Sequence, residues 1–235
     1  MKTEIDIDNL NERYATMEIE AMMGDFIDRF EGRVALASSL GLEDQVLTDV
    51  IARVRPSTRV FTLDTGRLFP ETYRLIDRTA RRYGITIELF FPDHRQVEEM
   101  VREAGINLFY DSAEKRKRCC RTRKLEPLRR AFAGMEAWIC GLRREQSATR
   151  QEVRLVERDA VNGLYKLNPL ANWSEEEVRE YARRNEVPYN RMHDEGFPSI
   201  GCEPCTRAIN PGDDPRAGRW WWESPLHKEC GLHRR

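Results

Sequence analysis

The chain has 235 residues, 34% of them charged and 40% hydrophobic, and a formal net charge of −1. That is length for one α/β domain, or one domain with a tail, and its charge balance disfavours a uniformly cationic nucleic-acid binder. No apolar run is long enough to span a membrane and the opening residues lack a signal-peptide pattern, so six cysteines are expected to sit in a reducing cytoplasm.

Residues 7–30 carry apolar side chains at helical spacing (Leu10, Tyr14, Met17, Met22, Phe26, Phe30) and predict opening helices ended by Gly32. Val34 to Ala37 reads as a short buried strand. The loop Ser38-Ser39-Leu40-Gly41-Leu42-Glu43-Asp44 follows, and then a helix from about Gln45 to Val54. A strand running through small residues into a helix start can cradle an anion on backbone N–H groups, although many ordinary βα turns contain Ser and Gly. The pattern repeats: a strand over Arg59 to Leu63, the loop Asp64-Thr65-Gly66, a helix over Pro70 to Tyr83, a strand over Ile85 to Phe91 and a helix over Asp93 to Ala104. Alternation at this length predicts an α/β fold, a parallel sheet with helices on both faces. Ligands of such sheets bind beyond the carboxyl ends of the strands, where both loops fall.

The run from Lys115 to Lys124 is cationic at seven of ten positions and holds Cys119 and Cys120 at its centre. Its helix is expected to reach about Phe132, with Pro127 as a candidate break. Alone, such a run is a solvated helix face or a nucleic-acid patch. Two thiols inside it change the reading, because nearby positive charge favours thiolate, the metal-binding form. Cys202-Glu203-Pro204-Cys205 adds a CxxC pair. Structural zinc usually takes two separated CxxC knuckles, whereas an iron–sulfur cluster offers each thiolate its own iron; zinc and ordinary buried thiols stay open beside the cluster.

Ala137 to Leu142 reads as a fourth strand with Cys140 as a small buried hydrophobe, and the arginines of the segment Arg143 to Arg150 suit an anion or a solvated loop. A hairpin is expected around Asn162-Gly163, pairing Val153 to Arg158 with Leu164 to Leu170. Ser174 opens a capping box with Glu177, starting a helix to about Asn185. Near the end, Trp220, Trp221 and Trp222 beside Arg216 and Arg219 predict a surface that covers something. Cys230, among His227, Lys228, His233 and the two final arginines, is a candidate nucleophile or a harmless exposed thiol.

The segments CCRTRK, GCEPC, DPRAGRWWWE and ECGLH together resemble the assimilatory adenylyl-sulfate (APS) reductases, the iron–sulfur branch of the APS/PAPS reductase family, from about Val34 onward. The resemblance implies an adenine nucleotide α hydrolase-like, PP-loop-like fold over residues 1–212 and a mobile C-terminal tail, 213–235, carrying the nucleophile. Ser39-Leu40-Gly41 departs from the SGG of PP-loop ATP pyrophosphatases, which speaks against ATP cleavage. The resemblance further implies one [4Fe-4S] cluster on Cys119, Cys120, Cys202 and Cys205, and Cys230 as nucleophile. Lys124, Arg150, Arg216 and Arg219 would meet the phosphate and sulfate, His233 would close over the site, and Ser38, Ser39, Leu63, Thr65 and Gly66 would seat the nucleotide. The implied reaction is thioredoxin-dependent reduction of APS to sulfite and AMP through a cysteine S-sulfonate, in a possible homo-oligomer, with no nucleic acid or membrane as partner. Rival readings are PAPS or dual reduction, a PP-loop tRNA-thiolating enzyme, and a cluster-bearing nucleic-acid-binding regulator.

Overall fold

The computed structural model describes residues 5–147 and 150–223; Cys230 and His233 lie outside the described residues. Helices α1 (Ile7–Tyr14) and α2 (Ile19–Asp28) lead into β1 (Val34–Ala37), α3 (Leu42–Val54), β2 (Arg59–Leu63), α4 (Pro70–Tyr83), β3 (Ile87–Phe90) and α5 (His94–Ala104). Local chemistry sets several of these boundaries. Pro70 stands in the first turn of α4, where a missing N–H costs nothing, and Asp93 caps α5 by accepting from the Gln96 N–H at 3.0 Å. Helix α3 starts three residues earlier than its apolar spacing predicts, because Gly41 already serves as its N-cap.

The basic run forms α6 (Ala113–Cys120), a π-helical turn (Arg121–Leu125) and α7 (Glu126–Ala131). Pro127 does not break this stretch. It has no N–H for the carbonyl four residues back, that of Arg123, and the wider π turn falls where an α-helical turn would clash with its ring.

After β4 (Ala137–Ile139), the hairpin of β5 (Val156–Asp159) and β6 (Leu164–Leu167) precedes α8 (Glu175–Arg184), with the expected Ser174–Glu177 capping box in place. The sheet order is β3-β2-β1-β4-β6-β5. It is parallel except for β5, which pairs antiparallel to β6 in the expected hairpin and adds one antiparallel edge strand to the expected parallel sheet. The central strands β1 and β4 are almost wholly buried apolar runs, as strands covered on both faces must be, while the edge strands β3 and β5 alternate. The Tyr83 and Tyr181 hydroxyls both donate to Asp49 (3.0 and 2.8 Å) and Gln45 donates to Thr79 at 2.7 Å, binding α3, α4 and α8 into one layer; α7 packs on β2 and β3. Right-handed crossovers put that layer on one face and the return from β3 to β4 on the other.

Apart from the core around the sheet, a second small cluster of buried residues forms from Met100, Leu108, Phe109, Cys205 and Trp220, with Cys119, Cys202 and Trp222 packed against it. No helix among the described residues is long and apolar enough to cross a membrane.

Candidate active site

The chain leaves β1 toward β2 and leaves β4 toward β6, so strand order reverses between β1 and β4. A crevice opens at such a point beyond the strand ends, and here it is a cavity of about 290 Å³. Apolar walls come from Phe61, Leu63, Leu128, Trp138 and Leu142, small polar ones from Ser38, Ser39 and Thr65, and cations from Lys124, Arg150, Arg216 and Arg219. Gly66 is not among the lining residues; with φ of 70° it makes the turn after Thr65, its N–H donating to Asp64 at 2.7 Å.

The first loop is held from within. The buried Asp44 carboxylate accepts from the Ser39 N–H (2.6 Å), the Ser39 hydroxyl (2.6 Å) and, across the crevice, the Gly141 N–H (3.0 Å). Burial pushes its pKa up to about 6, against the pull of these hydrogen bonds. The Leu40 N–H donates to the Ser38 hydroxyl at 3.1 Å, and Leu40 itself has φ of 61°. A left-handed conformation suits the glycine of an SGG loop; in leucine it costs ~1–2 kcal/mol.

A second cavity adjoins the first. Cys119, Cys120, Cys202 and Cys205 all line it, with Arg116 and Arg123, and Lys124, Arg219 and Trp220 wall both cavities. The CC pair comes from the end of α6. The CxxC pair is fixed by the Glu203 N–H donating to the Arg67 carbonyl (2.8 Å) and by a bridge from Leu68 to Cys202. Positive charge does not act evenly on these thiols. Burial, then the neighbouring Cys202 and Cys120, pushes Cys205 up to about 12, and burial also raises Cys119. Burial works the same way on Cys202, but Lys124, the Thr65 hydroxyl (3.2 Å from Sγ), Arg219 and Arg123 together hold it below the usual thiol range.

Several cations of the basic run are paired with other parts of the protein, and two of them, Arg116 and Arg123, are buried. Arg116 is buried and makes a bidentate pair with Glu223 (2.9 and 2.8 Å) while stacking on Trp220 at 4.6 Å. Arg123 donates to the Thr65 carbonyl at 2.6 Å, Lys115 pairs with Asp111, and Arg118 with Glu103. Of the arginines after β4, Arg150 lines the first cavity and donates to Gln146. Arg143 also lines it but is buried against Glu43 at 2.9 Å, and Arg144 turns away to the Val153 carbonyl and Asn172.

Trp220 and Trp222 pack into the small cluster that holds Cys205, with Cys119 and Cys202 against it, so packing within the protein accounts for these two rather than a surface left to cover a ligand or partner. Trp220 is buried, with Arg219 and Arg216 over its ring at 4.8 and 5.9 Å. Trp222 donates to the Phe109 carbonyl and packs on Tyr110 and Trp221. Gly201 allows this close approach, since a Cβ there would meet the Arg219 guanidinium at 2.3 Å. Cys140 is buried and apart from the other thiols, as expected. It is more than a hydrophobe, however: its thiol donates to Asn168 at 3.1 Å and lines the first cavity. Asp44, Glu43, His193 and the Arg116–Glu223 pair escaped sequence reasoning, since nothing in their spacing separates them from surface charges.

Among the described residues no three Cys, His, Asp or Glu close around a single metal ion, yet four thiols line one cavity. Cysteine thiols are the donors that structural zinc and iron–sulfur groups both take, and four of them lining one cavity is compatible with either.

The phosphoadenosine phosphosulfate reductase domain family matches residues 33–208. The adenosine 5′-phosphosulfate reductase of Allochromatium vinosum is 57% identical over 86% of this chain and 79% of its own, and that of Burkholderia cepacia 51% identical over 92% and 86%. Among solved structures, the phosphoadenylyl-sulfate (PAPS) reductase of Candida auris aligns with a TM-score of 0.74 at 28% identity, covering 86% of this chain and 96% of that one.

Proposed function

The chain belongs to the phosphoadenosine phosphosulfate reductase family, and on that premise we propose a mechanism for the reduction of adenylyl sulfate by its own residues. It is an oxidoreductase acting on a sulfur group, reducing APS in sulfate assimilation, as its relatives at 45–57% identity are named. The reading is carried by the wall of Lys124, Arg219 and Trp220 that the nucleotide crevice shares with the cysteine cavity.

In this reading the adenosine lies among Ser38, Ser39, Leu63, Thr65 and the apolar walls, and Lys124, Arg150, Arg216 and Arg219 meet the phosphate–sulfate group. The Cys230 thiolate attacks the sulfate sulfur, the bond from sulfur to the bridging oxygen breaks, and AMP departs with the electron pair. The cations offset charge gathering on that oxygen. The sulfonate now rests on Cys230. A thiolate of thioredoxin attacks the Cys230 sulfur and expels sulfite; its second thiol then resolves the mixed disulfide, so the dithiol supplies both electrons and Cys230 returns to thiolate. The family resemblance assigns His233, which like Cys230 lies outside the described residues, a role in closing over the site. Cys119, Cys120, Cys202 and Cys205 would hold one [4Fe-4S] cluster, which when bound supplies a fixed negative centre beside the cations. No step above passes through it. A reducing cytoplasm suits these thiols, and a homo-oligomer is compatible with the reading.

Steady-state sulfite release by the full chain with thioredoxin, measured with APS and with PAPS, tests the proposal. A kcat/KM at least tenfold higher for APS is expected; equal rates would make the enzyme a dual reductase, and sulfite release without a dithiol would remove thioredoxin from the scheme.

A further inference from the structure

The β1–α3 loop looks like an anion cradle, but the donors of Ser39, Leu40 and Gly41 are already engaged. The Ser39 N–H and hydroxyl go to the Asp44 carboxylate, the Leu40 N–H goes to Ser38, and the Gly41 N–H reaches the Ser39 hydroxyl at 3.4 Å. The carboxylate's other oxygen reaches across the strand-order reversal to the Gly141 N–H. The fit is close: a Cβ at Gly141 would stand 2.7 Å from that oxygen and 2.7 Å from the Glu43 Cβ. On each side of this clasp stand residues that wall the crevice: Ser38 and Ser39 before it, Cys140 and Leu142 across it.

We propose that Asp44 is a positioning residue that fills the loop's anion cradle from within and fixes the spacing of the two loops that hold the nucleoside. The donors of Ser39, Leu40 and Gly41 are therefore not available to the phosphate–sulfate group, whose affinity falls chiefly to Lys124, Arg150, Arg216 and Arg219. This deepens the proposed function and rests on it only for the identity of the nucleotide.

A buried carboxylate with three donors has no neutral substitute. In Asp44→Asn the new amide group must face a donor, so at least one of the three hydrogen bonds is lost and the loops separate. Gly141→Ala forces the same separation without touching the charge.

Calorimetry with adenosine and AMP on the full, anaerobically purified chain, beside APS kinetics, tests the assignment. Both variants are expected to weaken adenosine, AMP and APS by a common factor of about ten, the last seen in KM, with kcat within about threefold. Arg216→Ala should leave adenosine affinity unchanged while weakening AMP and APS. Unaltered adenosine binding in Asp44→Asn, with the loss confined to phosphate-bearing ligands, would mean that the loop is an anion cradle after all and would overturn the proposal. A fall in kcat at constant KM would overturn it too. If either variant fails to fold, Ser39→Ala removes a single side-chain donor and should show the same pattern at about threefold; no change in adenosine affinity there counts against the clasp. Adenosine binding needs no turnover, so a protein that binds it as expected yet leaves APS unreduced refutes the proposed reaction and leaves the clasp standing.

Discussion

The two adjoining cavities are built by opposite means. The nucleotide crevice is made of strand ends and the loops that follow them, rigid because β1 and β4 are buried in the main core. The cysteine cavity has no strand behind it. It is assembled from α6, the π-helical turn, residues 202–205 and the Trp220 segment around a small core of its own, and Glu223 ties that segment to Arg116. The first is a scaffold into which side chains are set. The second is a set of segments that depend on one another, so damage at one place should spread through it.

The largest test of that contrast is Cys205→Ser or Cys120→Ser. Each should strip iron and sulfide from the purified chain and with them nearly all APS reduction, while adenosine still binds in the crevice. Retention of a full iron complement in either variant would break the distinction. Next comes Arg216→Ala, expected to cut kcat/KM for APS about a hundredfold while leaving iron content unchanged, because the side chain lines the crevice and not the cysteine cavity.

A third test is Glu223→Gln. It removes the Glu223 charge that faces the buried Arg116 guanidinium, 1% exposed. Breaking a buried pair in this way costs about 3–5 kcal/mol, which thermal melting would report as a drop of roughly 10 °C. If the cysteine region depends on this tie, iron should be lost at lower temperature than the main unfolding transition. Coincident loss would make the two regions a single cooperative unit.

Sequence reasoning reached the two regions unequally, for physical reasons. Strands such as Arg59–Leu63 and the helix Pro70–Tyr83 were readable to the residue because apolar runs and a first-turn proline are local signals. Strand direction at the edge was implicit in Asn162-Gly163, though its effect on the sheet was not. The cysteines were legible from their chemistry, and the cavity they share follows from contacts between segments some eighty residues apart, which no local pattern encodes. The basic run is legible through its two thiols, and Arg116, Arg123 and Lys124 do wall the cysteine cavity; that Arg116, Arg118 and Arg123 are each bound to a different part of the protein is again beyond any local pattern. Asp44 reads as the last residue of the first loop; the structure puts it in the first turn of α3, where acids are common, so its residue type gives no signal of the clasp.

The smallest expected effect sharpens the comparison on the crevice side. Burial places the Asp44 pKa near 6, above its unfolded value, so the ionised form is the costly one: its contribution to stability falls as pH rises from about 4 to 6. Binding runs the other way, since a protonated carboxyl cannot serve all three donors. Adenosine affinity should therefore weaken severalfold as pH falls through 6, and Asp44→Asn should flatten the binding profile. Glu43 on the same helix, paired with Arg143, and the Cys140 thiol, held up to about 12, are the ionisable groups nearest this carboxylate; His193, its pKa lowered by burial, faces Glu43. A Glu43→Gln control separates their influence.

The proposed mechanism turns on one event, the transfer of a sulfonate to a thiol. Anaerobically purified chain mixed with APS and no reductant should gain the mass of one sulfonate, mapped by peptide sequencing to Cys230, with one AMP released per chain. Sulfite produced in full turnover by a chain whose Cys230 never carries that group would contradict the mechanism.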